Sequence, residues 1–199
     1  MTKFLIALGL ALGTTLAAPA VSAQALDCPT TTEPFDLTGE EISGLYDCIK
    51  DALAEGYAKG DNDVAAVYRT WSPTATRPAV AGPHGERLLN TFANDIGAEQ
   101  YLKFQDDGAF VMPTGSVLAK ESMRVNMKKG QLVRGPLFIM TKVGLEAEEN
   151  SDGWFYSAVQ PSGKAMKIKQ SFCHDCHSAF SDSDSMGYPL EEVRIGADG

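Results

Sequence analysis

Basic residues are scarce in this chain: 17 Lys and Arg stand against 26 Asp and Glu, a formal net charge of −9. Nucleic acid and anionic lipid both recruit proteins through a basic surface, so this balance argues against either as a partner. Apolar runs long enough to cross a bilayer are lacking beyond the N-terminus, so no membrane span is expected once that segment is removed. Internal repeats and low-complexity tracts are also absent. Histidine is limited to His84, His174 and His177, and cysteine to four residues. None of the histidines lies near Cys28 or Cys48, which argues against metal binding by that pair.

The N-terminus has the layout of a secretory signal. Met1-Thr2-Lys3 is a short positive region, Phe4 to Leu16 is apolar and uncharged, and Val21-Ser22-Ala23 fits a small-residue cleavage site. Residues 1–23 are therefore expected to be removed, with a cut after Ala25 as the alternative and an uncleaved anchor as the other reading. Cleavage takes away Lys3 and no acid, so the mature chain is more negative still. Export implies an oxidising compartment, taken here as the periplasm. There Cys28 and Cys48 are expected to form a disulfide that staples the mature N-terminus to the first helix.

Cys173-His174-Asp175-Cys176-His177 is the most specific motif present. It matches C-x-x-C-H, the pattern of covalent haem attachment. Residues three and four apart on a helical turn share a face, so Cys173, Cys176 and His177 can meet one flat macrocycle. The two thiols would form thioethers and His177 would bind the iron, giving one haem c. Zinc binding or a bare redox dithiol are the alternatives, and adjacent Cys-His pairs with no second ligand pair fit zinc poorly. The second axial position stays undecided. His174 sits inside the attachment loop. His84, in Pro83-His84-Gly85, reads as an exposed loop histidine. Met112, Met123, Met127, Met140, Met166 and Met186 read as packing.

Elements follow from periodicity and punctuation. Residues 24–37 are Pro- and Thr-rich and read as an extended lead-in. Thr38 with Glu41 forms a capping box, and Ile42, Leu45, Tyr46, Ile49, Leu53 and Tyr57 recur at helical spacing up to Lys59-Gly60. Residues 72–86 read as a loop, Arg87–Ala93 as a strand and Ala98–Phe104 as a short helix. Three β-like runs follow, at Ser116–Val125, Leu137–Leu145 and Trp154–Gln160, before a helical segment over 170–180. The expected fold is α+β: a mainly antiparallel sheet domain with an N-terminal helix and a C-terminal helical haem-attachment segment. The domain division is 1–23 signal, 24–66 extension and helix, and 67–199 haem domain.

From Tyr68 to Arg194 the chain resembles the cytochrome P-460 family and its relative cytochrome c′-beta. The resemblance is carried by Glu99-Gln100-Tyr101-Leu102-Lys103, Gly115-Ser116-Val117-Leu118-Ala119-Lys120-Glu121 and Val143-Gly144-Leu145-Glu146-Ala147. Asp152-Gly153-Trp154-Phe155-Tyr156, the Cys173–His177 motif and Tyr188-Pro189-Leu190 follow in the same order. It implies an antiparallel β fold, usually dimeric, with one five-coordinate c-type haem and a proximal histidine, here His177. In hydroxylamine-oxidising members a strand lysine is bonded to the haem edge, and Lys120 holds that place. Read from the residues alone, Lys120 is an ordinary solvent-facing strand lysine.

Those members also depend on a distal carboxylate, whereas the first acid after the motif here is Asp182. The c′-beta relatives instead place phenylalanine over the iron, and Phe92, Phe104, Phe110, Phe138 and Phe155 are available. Three functions are therefore expected to compete. The first is redox chemistry on hydroxylamine or small nitrogen oxides at an open iron site, with electrons passed to a redox partner protein. The second is non-catalytic binding of nitric oxide or carbon monoxide. The third is simple electron transfer.

Overall fold

A computed structural model describes residues 27–196, and the expected signal segment and both of its cleavage positions lie outside them. Helix α1 spans Gly39–Tyr57. Thr38 opens it: its Oγ1 accepts from the Glu41 N–H at 3.2 Å, while Glu41 Oε2 accepts from the Thr38 N–H at 2.8 Å. These hydrogen bonds from Thr38 hold the Glu41 carboxyl below its ordinary range. Ile42, Ile49, Leu53 and Tyr57 are buried along one stripe. Cys48 on this helix is bonded to Cys28. The Cys28 carbonyl in turn accepts from the Leu132 N–H at 2.8 Å, which ties the lead-in to the sheet.

A short helix α2 (Asp63–Val67), capped by Asn62, leads to the sheet strands β1 (Ser72–Pro73), β2 (Ala79–Ala81) and β3 (Arg87–Ala93). Helix α3 (Asp95–Tyr101) precedes β4 (Val117–Asn126), β5 (Gln131–Arg134), β6 (Leu137–Lys142), β7 (Trp154–Val159) and β8 (Ala165–Met166). Helix α4 (Gln170–His177) carries the cysteine motif. All eight strands pair antiparallel in one sheet, ordered β1-β3-β4-β6-β7-β8, with β2 on β3 and β5 on β4. Among the described residues no helix is long and apolar enough to cross a membrane. The architecture is the expected α+β.

Register divides the sheet into two unlike faces, because side chains alternate along each strand. Thr91 pairs with Lys120, Lys120 with Phe138, and Phe138 with Ala158, so these four share one face. Asn90 pairs with Glu121 and Phe92 with Ala119 on the other face, where Ile49, Leu53 and Tyr57 of α1 join one core with Leu88, Phe92 and Met123. Glu121 is fully buried there. Its carboxylate accepts from Tyr46 Oη at 2.7 Å, from Arg69 Nε at 2.6 Å and from the Tyr68 hydroxyl. Burial raises its pKa, and Arg69 with the two phenols opposes that shift.

Several boundaries differ from the sequence reading. Helix α3 begins earlier than Ala98 because the Asn94 side chain accepts from the Gly97 N–H at 3.0 Å and acts as the cap. Strand β6 stops at Lys142, before the positive-φ Gly144. The stretch read as a loop over 72–86 contains β1 and β2, both too short for an alternating pattern to register.

Replacing Glu121 with Ala leaves Arg69 and two phenols facing each other without their acceptor. Because Arg69 keeps some contact with water, the loss is set at the low end for a broken buried pair, about 3 kcal/mol. Urea unfolding measures it, and a loss under about 1 kcal/mol contradicts the anchoring role.

Candidate functional site

The face carrying Lys120 and Phe138 does not pack on α1; it forms the floor of a cavity of about 910 Å³. That volume lies at the upper end of cofactor sites, about 300–1,000 Å³. Leu118 and Lys120 of β4, Phe138 and Met140 of β6, and Tyr156 of β7 line the floor. The β2–β3 connection supplies His84 and the start of β3 supplies Arg87 at one side, and α4 supplies Cys173, Cys176 and His177 at the other. Phe180, Tyr188 and Pro189 from the C-terminal segment complete the wall.

Helix α4 is docked by its first residue. Gln170 Oε1 accepts from the Tyr156 N–H at 2.8 Å, and Gln170 Nε2 donates to the Tyr156 carbonyl at 2.8 Å. This clamp to β7 aims the face bearing Cys173, Cys176 and His177 into the cavity. Both thiols are free. Burial, with Cys176 as the lesser cause, raises the pKa of the Cys173 thiol. His174 turns away to Asp152, with Nε2 at 3.3 Å from Oδ2, and does not line the cavity.

The imidazole of His177 is set by a turn that the sequence reading passed over. Its Nδ1 lies 2.8 Å from the Ser185 carbonyl, so Nδ1 carries the proton and Nε2 is the nitrogen left for a metal. Asp184 and Ser185 both adopt left-handed backbone angles, with φ of 51° and 67°. Three contacts hold that conformation. Asp184 Oδ2 accepts from the Met112 N–H at 2.8 Å, Oδ1 pairs with Lys142 Nζ at 2.7 Å, and its carbonyl accepts from Trp154 Nε1 at 3.0 Å. Sequence alone offers only a weak signal for it, since Asp merely tolerates this region better than most residues.

Electrostatics in the cavity favour neutral bases. Burial, with Lys120 next, pushes His177 down to about 4. Burial, then Lys120 and His177, pushes His84 down to about 3. Burial lowers Lys120 to about 8. Lys120 is thus no solvent-facing strand lysine: what exposure it keeps lies toward the cavity it lines. His84 likewise departs from the exposed loop histidine expected of it. It is half-buried, with its ring 5.3 Å from Phe138 and 6.2 Å from the His177 ring.

Among the phenylalanines singled out, Phe138 lines the cavity. Phe92 lies in the α1 core, and Phe104 and Phe110 pack in the second core. Phe35, Phe172 and Phe180, not singled out, do line it. Asp182 is exposed and is not part of the wall, and the cavity's acid among the described residues is the exposed Glu192 at the rim.

The residues fit a haem. Two free thiols sit beside an imidazole of fixed tautomer, over an apolar floor, with Arg77 and Arg87 in the wall to meet carboxylates. Tyr156 Oη is buried next to His177 with no hydrogen-bond partner among the described residues, a polar atom left for something inside the cavity. A bare metal ion fits less well, for among the described residues no group of three or more His, Cys, Asp and Glu side chains is placed to hold one.

Asp184→Ala removes the acceptor for Met112 and leaves the largely buried Lys142 ammonium unpaired. The expected loss is about 2–4 kcal/mol in unfolding free energy. Asp184→Asn is expected to lose less, since Asn tolerates the same backbone angles and can still accept from Met112. Equal losses in the two variants would contradict this account of the turn.

No curated protein matches the chain. The family model for cytochrome P460 matches residues 65–186, which takes in the end of α2, all eight strands of the sheet, the cysteine motif and the Asp184–Ser185 turn. The chain belongs to the cytochrome P460 family.

Proposed function

We propose that this chain is an exported, periplasmic c-type haem protein that carries out redox chemistry on hydroxylamine or a related small nitrogen oxide. One observation carries the reading: Lys120 and His177 line the same cavity as two free thiols that can anchor a macrocycle. Cys173 and Cys176 would hold haem c through thioethers, and His177 Nε2 would bind the iron while Ser185 holds Nδ1. When bound, the haem supplies a one-electron centre with an axial face for a small ligand. Lys120, which lines the same cavity, would stand beside a haem held there. Burial keeps a substantial part of its amine neutral near pH 8, which suits it to accept a proton or to bond the macrocycle. The acidic surface suits passage of electrons to a basic partner protein.

A second reading, non-catalytic binding of nitric oxide or carbon monoxide, is favoured by the carboxylate-poor wall. Removing protons from hydroxylamine needs a base within hydrogen-bond reach, while neutral gases need none. Anaerobic assay of the purified holoprotein with hydroxylamine and an artificial electron acceptor decides between them. Turnover is expected, with Lys120→Ala lowering kcat/KM by about 100-fold, the usual cost of a lost acid–base group. Gas binding without turnover would establish the second reading. A wild-type Soret band displaced to the red and restored by Lys120→Ala would mark a covalent Lys120–haem bond.

A further inference from the structure

We propose that residues 28–38 form a strap along the mouth of the haem cavity and that Phe35 on it selects ligands of the iron by size; this rests on the reading above that His177 binds that iron. Helix α4 brings His177 in from one side, so the free axial position of a haem held there looks toward the opposite side, where the β2–β3 connection lies. Phe35 stands at that side: a Cβ added at Gly82 would lie 3.8 Å from Phe35 Cζ. Pro34, Phe35 and Leu37 of the strap line the cavity and are all apolar, so these side chains offer an entering molecule bulk and no hydrogen bond. Pro34 is buried and seats the segment, while Phe35 is left 64 % exposed at the rim.

The strap is tied at both ends. At the first, Cys28 is bonded to Cys48 of α1, its carbonyl accepts from the Leu132 N–H at 2.8 Å, and the Thr30 N–H donates to the Gly130 carbonyl at 3.0 Å. At the second, the Thr38–Glu41 box starts α1. Arg77, another residue of the cavity wall, lies across Gly39 there, where a Cβ would come within 2.9 Å of its Nε. Between the ends a 3-10 turn over Pro34–Asp36 presents Phe35, closed by a 3.0 Å bond from the Asp36 N–H to the Glu33 carbonyl. A short segment fixed twice has few ways to swing aside, and loosening one end widens its range. The strap lies outside residues 65–186 matched by the family model, so its selectivity comes from a part of the chain that the match does not describe.

Stopped-flow binding of carbon monoxide and of tert-butyl isocyanide to the ferrous holoprotein tests this, alongside intact mass for covalently retained haem. Both are neutral molecules that bind iron through carbon, and they differ in bulk. In Phe35→Ala the isocyanide is expected to bind at least about tenfold faster while carbon monoxide gains less than about threefold, since removing bulk favours the larger ligand. Phe35→Trp is expected to slow the isocyanide more than carbon monoxide. Cys28→Ser with Cys48→Ser is expected to follow Phe35→Ala in direction, because hydrogen bonds alone then hold the first end. Unchanged rates in Phe35→Ala, or equal gains for the two ligands, with haem attached would overturn the assignment and leave the attachment reading intact. A wild type without covalent haem would defeat both readings together.

Discussion

Glu121 is a carboxylate with no exposure, gripped by Arg69 and the hydroxyls of Tyr46 and Tyr68, and its side of the sheet decides what every other residue of β4 does. An unpaired charge at that depth costs far more than the sheet can absorb, so Glu121 has to face the donors carried by α1 and the segment after α2. Lys120, its neighbour, is thereby forced onto the opposite face, together with Thr91 and Phe138. A slip of one residue would place Lys120 under α1 and Glu121 in the cavity, reversing both roles. The adjacent Lys and Glu are thus one device: the acid locks the register and the base lines the cavity.

The other half of the site depends on a turn rather than a strand. Helix α4 aims His177 through the Gln170 clamp, but the ring's tautomer and tilt come from the Ser185 carbonyl. That carbonyl is held in place because Asp184 is tied to Met112, Lys142 and Trp154, residues on three different parts of the chain. A ligand imidazole supported in this way loses little freedom on binding metal, since its orientation is already set by packing and hydrogen bonds. The cavity is accordingly shaped by strands on its floor, by the 82–86 turn at one side and by α4, whose His177 the 183–186 turn supports, at the other.

Much of this was legible in the sequence where local chemistry is strong. The Thr38–Glu41 box, the α1 stripe and the bounds of β3 follow from short-range signals, and Cys173, Cys176 and His177 announce themselves by spacing. Other features are not local. His84 sits in Pro83-His84-Gly85, a context typical of surface turns, and nothing local shows that it lines the same cavity as His177. The Asp184–Ser185 turn has non-glycine residues at positive φ, so no glycine marks it. Lys120 looks like any outward strand lysine until the paired strands show that its face is enclosed. Strands β5 and β8 escape notice because four and two residues cannot display alternation.

Diffraction from crystals of the holoprotein, measured at the iron absorption edge, tests the central claim most directly, that the Glu121-locked register places the metal on the Lys120 side of the sheet. The account predicts one anomalous peak in the cavity over Phe138 and Lys120, about 2 Å from His177 Nε2. A peak on the α1 side of the sheet, or one with no contact to His177, would contradict it.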